Sequence, residues 1–183
     1  FYKTGQFKKA KSEYNKLLYL DSTDSKAIVY RASTHKKLGY RGMALEGYNL
    51  SIEIDPNQIL AYDERANFYI EQKEYGKAIS DYNKVIEFIS STQDFQQIKA
   101  YSLNNRGFAY LKFGDLEKAL VDINSSIKLL PTNSYAFKNR ALIYLEKARI
   151  DMACADLSKA LELGFTDQYG KEVEILIAEN CKK

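Results

Sequence analysis

A chain of 183 residues can bury one substantial core, or an array of small units that share one. Its net charge of +3, with no stripe of lysine or arginine, gives no footing for nucleic acid, and no apolar run approaches the ~18–20 residues of a membrane span. Two prolines and nine glycines leave few breakers, so helix is expected throughout.

The sequence opens at Phe1 without Met and without the basic, apolar and small-residue zones of a signal peptide. Phe1 falls inside a helical pattern, so upstream sequence, including any export signal, is expected to lie outside the chain. Self-similarity organises the residues after it. Ala10, Ala44, Ala78, Ala119 and Ala153 stand 34, 34, 41 and 34 residues apart. The same steps relate the small residues Ala32, Ala66, Gly107 and Ala141, and then His35, Tyr69, Tyr110 and Tyr144. Four residues after each alanine comes a large side chain: Tyr14, Tyr48, Tyr82, Ile123 and Leu157.

In chain order, residues 1–23 read as a truncated first repeat whose second helix runs from Phe7 to about Leu20. Residues 24–56 form the second repeat, with Asp24 as N-cap before Ser25 and Pro56 closing its second helix. Residues 57–90 form the third. Residues 91–131 form the fourth, carrying seven extra residues near Ser90 to Gln96, about two helical turns, so that Ser91 or Thr92 would cap a lengthened first helix. Its turn falls near Gly114-Asp115, and Pro131 ends it. Residues 132–165 form the fifth. Residues 166–183 are expected to cap the array, with a helix from Gln168 to about Lys182 that buries Val173, Leu176 and Ile177 and turns Lys171, Glu172, Glu174 and Glu179 to water.

A 34-residue helix–turn–helix with small, small and aromatic positions at these spacings resembles the tetratricopeptide repeat family, over roughly residues 1–165. Arginine stands before the first small residue, as in Asn105-Arg106-Gly107 and Asn139-Arg140-Ala141, where that family often has leucine. The ACADL…LELG ending resembles bacterial members. The resemblance implies an all-α fold: a right-handed α-solenoid of antiparallel helix pairs with a C-terminal capping helix and a concave groove lined by first helices. Packing physics points the same way. Small residues at both crossing points let paired helices approach to about 8–10 Å, and tyrosines fill the remaining space.

Arg31, Arg65, Arg106 and Arg140 share one repeat position. Sixteen residues beyond the last three stand Asp81, Asp122 and Asp156 on the partner helix, whereas Gly47 follows Arg31. A guanidinium fork on a carboxylate suits these three pairs, which read as scaffold rather than as a ladder for an acidic ligand.

The groove is the candidate binding site. Its lining is expected to comprise Tyr101, Asn104, Asn105, Phe108, Leu111 and Lys112, then Tyr135, Lys138, Asn139, Leu142 and Glu146. Lys26, Tyr30, Ser33, Lys37, Asp63, Glu64, Asn67 and Glu71 would continue it. Asparagine can grip a peptide backbone whatever its side chains, and aromatics add apolar contact at low entropic cost. The alternative is that these residues solvate the face or pack on neighbouring repeats. The carboxylate clamp of co-chaperones in the family is not expected. Asn67 and Asn105 match its asparagines, but Asp63 and Tyr135 hold its lysine places and Asn139 its arginine place. Asn105 and Asn139 resemble two rungs of the family's asparagine ladder.

Cys154 and Cys181 lie at similar distances either side of the turn at Gly164 to Asp167, so they are either a disulfide tying the cap to the fifth repeat or two inert thiols. Neither they nor His35, placed at a core aromatic position, has the spacing of a metal site. No phosphate loop, HExxH or GxSxG is present, so neither an enzyme nor a cofactor is expected. The expected function is a non-catalytic interaction module for a peptide or helix of a protein partner. The alternative is an assembly or oligomerisation segment of a larger protein, self-associating through its convex face or through apolar residues such as Phe1 and Phe7. The sequence leaves location open between the cytoplasm and, if the chain is exported, the periplasm or cell envelope.

Overall fold

The structure, a computed structural model, describes residue 2, residues 4–89 and residues 95–181. Two compact units divide it, Phe1–Phe88 and Ile89–Lys183. Among the described residues there is helix and no strand. The first unit contains α1 (Phe7–Leu20), α2 (Ser25–Lys37), α3 (Arg41–Ile54), α4 (Ile59–Glu71) and all but the last residue of α5 (Tyr75–Ile89). The second contains α6 (Gln96–Phe113), α7 (Leu116–Leu129), α8 (Ser134–Glu146), α9 (Ile150–Glu162), α10 (Phe165–Tyr169) and α11 (Glu172–Asn180).

Within each unit the chain pairs first with second helices. α2 packs on α3, α6 on α7 and α8 on α9, while the first helices α2 and α4, and likewise α6 and α8, touch side by side. The small residues stand where the pairs cross. Ala32, Ala44, Ala66, Ala78, Ala119, Ala141 and Ala153 are all buried, and Tyr48, Tyr82, Ile123 and Leu157 fill the space behind them. Gly107 replaces alanine at its crossing for a reason visible in its partner. A Cβ there would lie 2.6 Å from Cγ1 of Ile123 and 3.2 Å from the Ala119 carbonyl oxygen. A β-branched side chain carries bulk next to its own backbone, so the residue opposite gives up its methyl.

The turn between paired helices repeats as faithfully as the crossings. Gly5, Gly39, Lys73, Gly114 and Ala148 all have positive φ, at 74°, 84°, 62°, 97° and 53°. The amide after four of these positions donates back to the carbonyl of the repeat aromatic or histidine: Tyr40 to His35, Glu74 to Tyr69, Asp115 to Tyr110 and Arg149 to Tyr144, at 2.8–2.9 Å. This is a Schellman closure, which satisfies helix-end carbonyls by driving one residue into the left-handed region. Asp24 and Asp115 cap the following helices, accepting from the amides of Ala27 and Lys118 at 2.9 and 3.1 Å.

The arginines tie the pairs together. Arg65 donates Nε and Nη2 to Asp81 at 2.8 and 2.7 Å; Arg106 and Arg140 make the same fork on Asp122 and Asp156, each contact at 2.7 Å. The guanidinium of Arg65 also lies over the ring of Tyr69, that of Arg106 over Tyr110 and that of Arg140 over Tyr144. Arg65 and Arg140 reach a further partner with Nη1, Asn49 at 2.7 Å and Asn124 at 2.8 Å on the preceding second helix. Arg31 comes no nearer than 3.5 Å to Asn15 in the equivalent place.

Three expectations are amended. α6 is longer than the other first helices, 18 residues against 13, but it begins at Gln96 with Phe95 in the N-cap place and no side-chain cap; Ser91 and Thr92 lie outside the described residues. The terminal segment is two helices and not one. Gly170, at φ 89° and ψ −170°, takes a conformation open only to glycine and separates α10 from α11; Lys182 lies outside the described residues. Phe7 is not bare, since its ring packs edge-on against Tyr2 at 5.5 Å, while Phe1 lies outside the described residues. α11 buries Val173 and rests Leu176 and Ile177 on the cluster of Phe137, Tyr144, Leu157 and Phe165. A disulfide joins Cys154 in α9 to Cys181, with Cα atoms 5.7 Å apart.

The turn and the crossing make opposite forecasts. Ala148→Gly releases left-handed strain of about 1–2 kcal/mol against a smaller entropic cost, so thermal denaturation is expected to show a gain of about 0.5–1 kcal/mol. Gly107→Ala overpacks a filled crossing and is expected to lose about 1–2 kcal/mol in the same measurement, after the better helix propensity of alanine is counted.

Candidate functional site

On α6, Tyr101, Asn105, Phe108 and Lys112 follow one another at spacings of four, three and four residues, which puts them on one stripe of the helix. Tyr101 is 44% exposed, Lys112 is exposed, and Asn105 and Phe108 are half-buried. Lys112 holds its ammonium 5.5 Å from the Phe108 ring centre. The side chains the stripe offers are therefore a phenol, an amide, an aromatic face and a cation.

The equivalent stripe on neighbouring α8 is different. Asn139 is fully buried and donates Nδ2 to Oδ1 of buried Asn104 at 3.0 Å, and Asn104 donates in turn to Oδ1 of Asn105 at 3.1 Å. Lys138 is also buried. Its ammonium sits 4.7 Å from the Tyr135 ring centre, 5.9 Å from that of Phe108, and 3.0 Å from Oε1 of Glu172 at the start of α11. Tyr135 itself stacks on Phe165 at 5.7 Å and meets Tyr169 edge-on at 5.1 Å. The expectation that Asn104, Lys138 and Asn139 face an open groove is thus corrected. The terminal helices α10 and α11 bring partners to this part of α8, and the asparagines bond to one another. Of the α8 set, Glu146 is exposed and Leu142 half-buried; Leu111 on α6 is buried.

In the first unit a lysine of α2 meets acidic residues of α4. Lys36 reaches Glu64 at 3.5 Å and Glu71 at 3.3 Å. Asn67 donates to the carbonyl and carboxylate of Asp63 at 2.9 and 3.2 Å and accepts from the Tyr82 hydroxyl at 2.7 Å. Burial and neighbouring Glu64 push the Asp63 carboxyl up to about 6, against the pull of Lys36 and of the Asn67 amide. Tyr30 is partly exposed and stacks on Tyr14 at 5.7 Å, and Ser33 shares a buried 3.1 Å hydrogen bond with the Tyr48 hydroxyl. Lys26 and Lys37 are exposed.

Two sets of partners were not anticipated from the sequence. Asn15, Asn49 and Asn124 lie five residues after the repeat alanine, a periodic signal that could have revealed them. Glu172, expected only to face water, also neutralises Lys138, and no repeat signal points to it because it lies beyond the last repeat. Among the described residues no cluster of three His, Cys, Asp or Glu could hold a metal ion, and no helix is long and apolar enough to cross a membrane.

Comparison with known proteins adds to this. The family described as Tetratricopeptide repeat matches residues 1–24 and 59–91. The DnaJ homolog subfamily C member 7 of Homo sapiens is 28% identical over 102 residues, which is 54% of this chain and 21% of that protein; the Mus musculus protein matches equally. The chain thus spans about a fifth of the length of these curated relatives. Among solved structures, that of pilF from Pseudomonas aeruginosa superposes with a TM-score of 0.82 at 17% identity, covering 98% of this chain and 78% of that one. MamA from Desulfovibrio magneticus RS-1 superposes at 0.75 and 16% identity, covering 91% and 90%. At such identities the shared property is the fold. Residues 1–24 and 59–91 match the tetratricopeptide repeat, and the helix pairs closed by a recurring turn and a recurring fork share the fold of tetratricopeptide repeat proteins.

Proposed function

We propose that the chain is a non-catalytic interaction module that takes an extended segment or a helix of a protein partner on the face of its first helices. The observation that carries this reading is the α6 stripe, where Tyr101, Asn105, Phe108 and Lys112 stay at least partly open to solvent while Asn139, the α8 counterpart of Asn105, is buried and bonded to Asn104. A packed helix holds these four side chains in place before any partner arrives, so little ordering is lost on association. The acidic residues of α4 would favour a partner carrying lysine or arginine there, because Asp63, Glu64 and Glu71 share one nearby cation, Lys36.

A second reading, self-assembly, has its own observation. At the end of α1, Tyr19 is 90% and Leu20 82% exposed, with Leu17 beside them at 49%. Contiguous bare apolar groups of this kind are a common mark of an interface.

Three measurements test these readings. Peptides selected by display against the whole chain are expected to lose at least tenfold in affinity to the double variant Tyr101→Ala, Lys112→Ala, and to be indifferent to Val121→Ser on a second helix. Peptides with the reverse sensitivity would sink the first-helix reading. For self-assembly, sedimentation over a hundredfold concentration range is expected to show association that Tyr19→Ser with Leu20→Ser abolishes; a monomer throughout counts against it. The raised Asp63 carboxyl gives a pH signature. Its folded state holds a proton that the unfolded chain releases near pH 4, so this group's contribution is full below pH 4 and fades as pH rises through 6. Asp63→Asn is therefore expected to be more stable than the parent at pH 7.5, by about 1–2 kcal/mol because partial solvation trims the full linkage, and to flatten stability between pH 4 and 7.

A further inference from the structure

Three of the four repeat arginines close a fork on a carboxylate sixteen residues further on. Arg31 has Gly47 at that distance, and among the described residues its guanidinium makes one hydrogen-bond contact, with Asn15 at 3.5 Å. The gap is built into the packing. A Cβ on Gly47 would lie 2.7 Å from the Cβ of Ala32, so α2 and α3 approach too closely for any side chain to stand where the other pairs have aspartate.

The space left is a cavity of about 320 Å³ walled by α1, α2 and α3. Lys11 and Arg31 line it, and Glu46 is the one acid in its wall, so the lining is net positive even with a neutral imidazole. His35 lines it too, and its Nε2 is buried without a hydrogen-bond partner. Burial, Lys11 and Arg31 together hold the His35 ring below its ordinary pKa, the direction expected where positive charge lacks a counter-ion. An unforked guanidinium and a lysine thus line one cavity with the His35 ring in its wall, and the space is large enough for a small dicarboxylate or a single acidic side chain.

We propose that this pocket binds a carboxylate, which takes up on Arg31 the fork that Asp81, Asp122 and Asp156 supply to the other three arginines. Carboxylate is favoured over phosphate because the same repeat position is already matched to a carboxylate three times in this chain. The Asn15 amide would flank the guanidinium as Asn49 and Asn124 flank Arg65 and Arg140. The negative charge would favour the protonated form of the His35 ring in the cavity wall, so binding would raise the ring's pKa. None of the lining residues belongs to the α6 stripe, so the pocket stands or falls apart from that face.

His35 is the only histidine in the chain, and its ring proton is therefore an unambiguous magnetic resonance reporter. The whole chain would be titrated at fixed ionic strength with succinate, with neutral succinamide, with inorganic phosphate and with the blocked peptide acetyl-Ala-Glu-Ala-amide. Succinate or the peptide is expected to shift the ring signal saturably and raise its titration midpoint, while succinamide leaves it unmoved. The tighter of the two carboxylates identifies the source as a free acid or a partner's side chain, and either supports the site. Arg31→Gln is expected to raise the dissociation constant at least tenfold. Lys11→Gln, at the rim, is expected to raise it a few-fold and serves should the first variant unfold. No saturable shift with either carboxylate, an unchanged constant in the folded variants, or phosphate binding more tightly than both would overturn the proposal.

Discussion

The arginine fork is the interaction on which the rest of the structure depends. A guanidinium offers five donors in one plane, and Arg65 and Arg140 use that plane to hold two helices at once: aspartate on their own partner helix and asparagine on the second helix before it. Small residues allow the helices to approach, but apolar contact alone tolerates sliding. A planar fork at 2.7 Å does not, because a shift of one residue moves the carboxylate to another face of its helix. The contribution of such pairs to net stability is small or ambiguous, since both charges lose water. Their evident effect is on register, and register is what lets one 34-residue pattern recur without drift.

The same residue position shows why the fold was readable in the sequence and the site less so. Crossing points, core tyrosines and the arginine–aspartate spacing are all periodic, so successive copies of each signal reinforce one another. The turn was read where glycine marked it, at Gly114, and was silent at Lys73 and Ala148, which take the same backbone conformation without the residue that announces it. The candidate face failed differently. Asn104 and Asn139 were placed correctly on their helices, but whether a first-helix side chain meets solvent depends on what lies beyond the repeat, and α10 and α11 follow no repeat. The break at Gly170 was equally hidden, because a glycine near a chain end reads as readily as a helix residue as it does as an interruption.

The chemistry of the two units diverges although their frames agree. The first gathers three carboxyl groups of α4 around Lys36 of α2, with that of Asp63 pushed up to about 6. The second pairs aromatic faces with ammonium groups on α6 and α8. A scaffold whose helices are positioned by a fork on one side is free to vary the other, and these two faces are what that freedom looks like at the level of single side chains.

The bond between Cys154 and Cys181 has a consequence for the end of the chain. A nine-residue helix such as α11 is too short to persist alone in water, and terminal helices are ordinarily the first to fray. Tethered at both ends, by the loop at Gly170 and by sulfur, α11 can leave its seat only as far as the slack of a small ring permits. Its local concentration above Val173's pocket stays high, and re-docking is a unimolecular event. The last element therefore opens and closes with the helix pair it covers, which extends the cooperativity of the repeats to a segment that does not itself repeat.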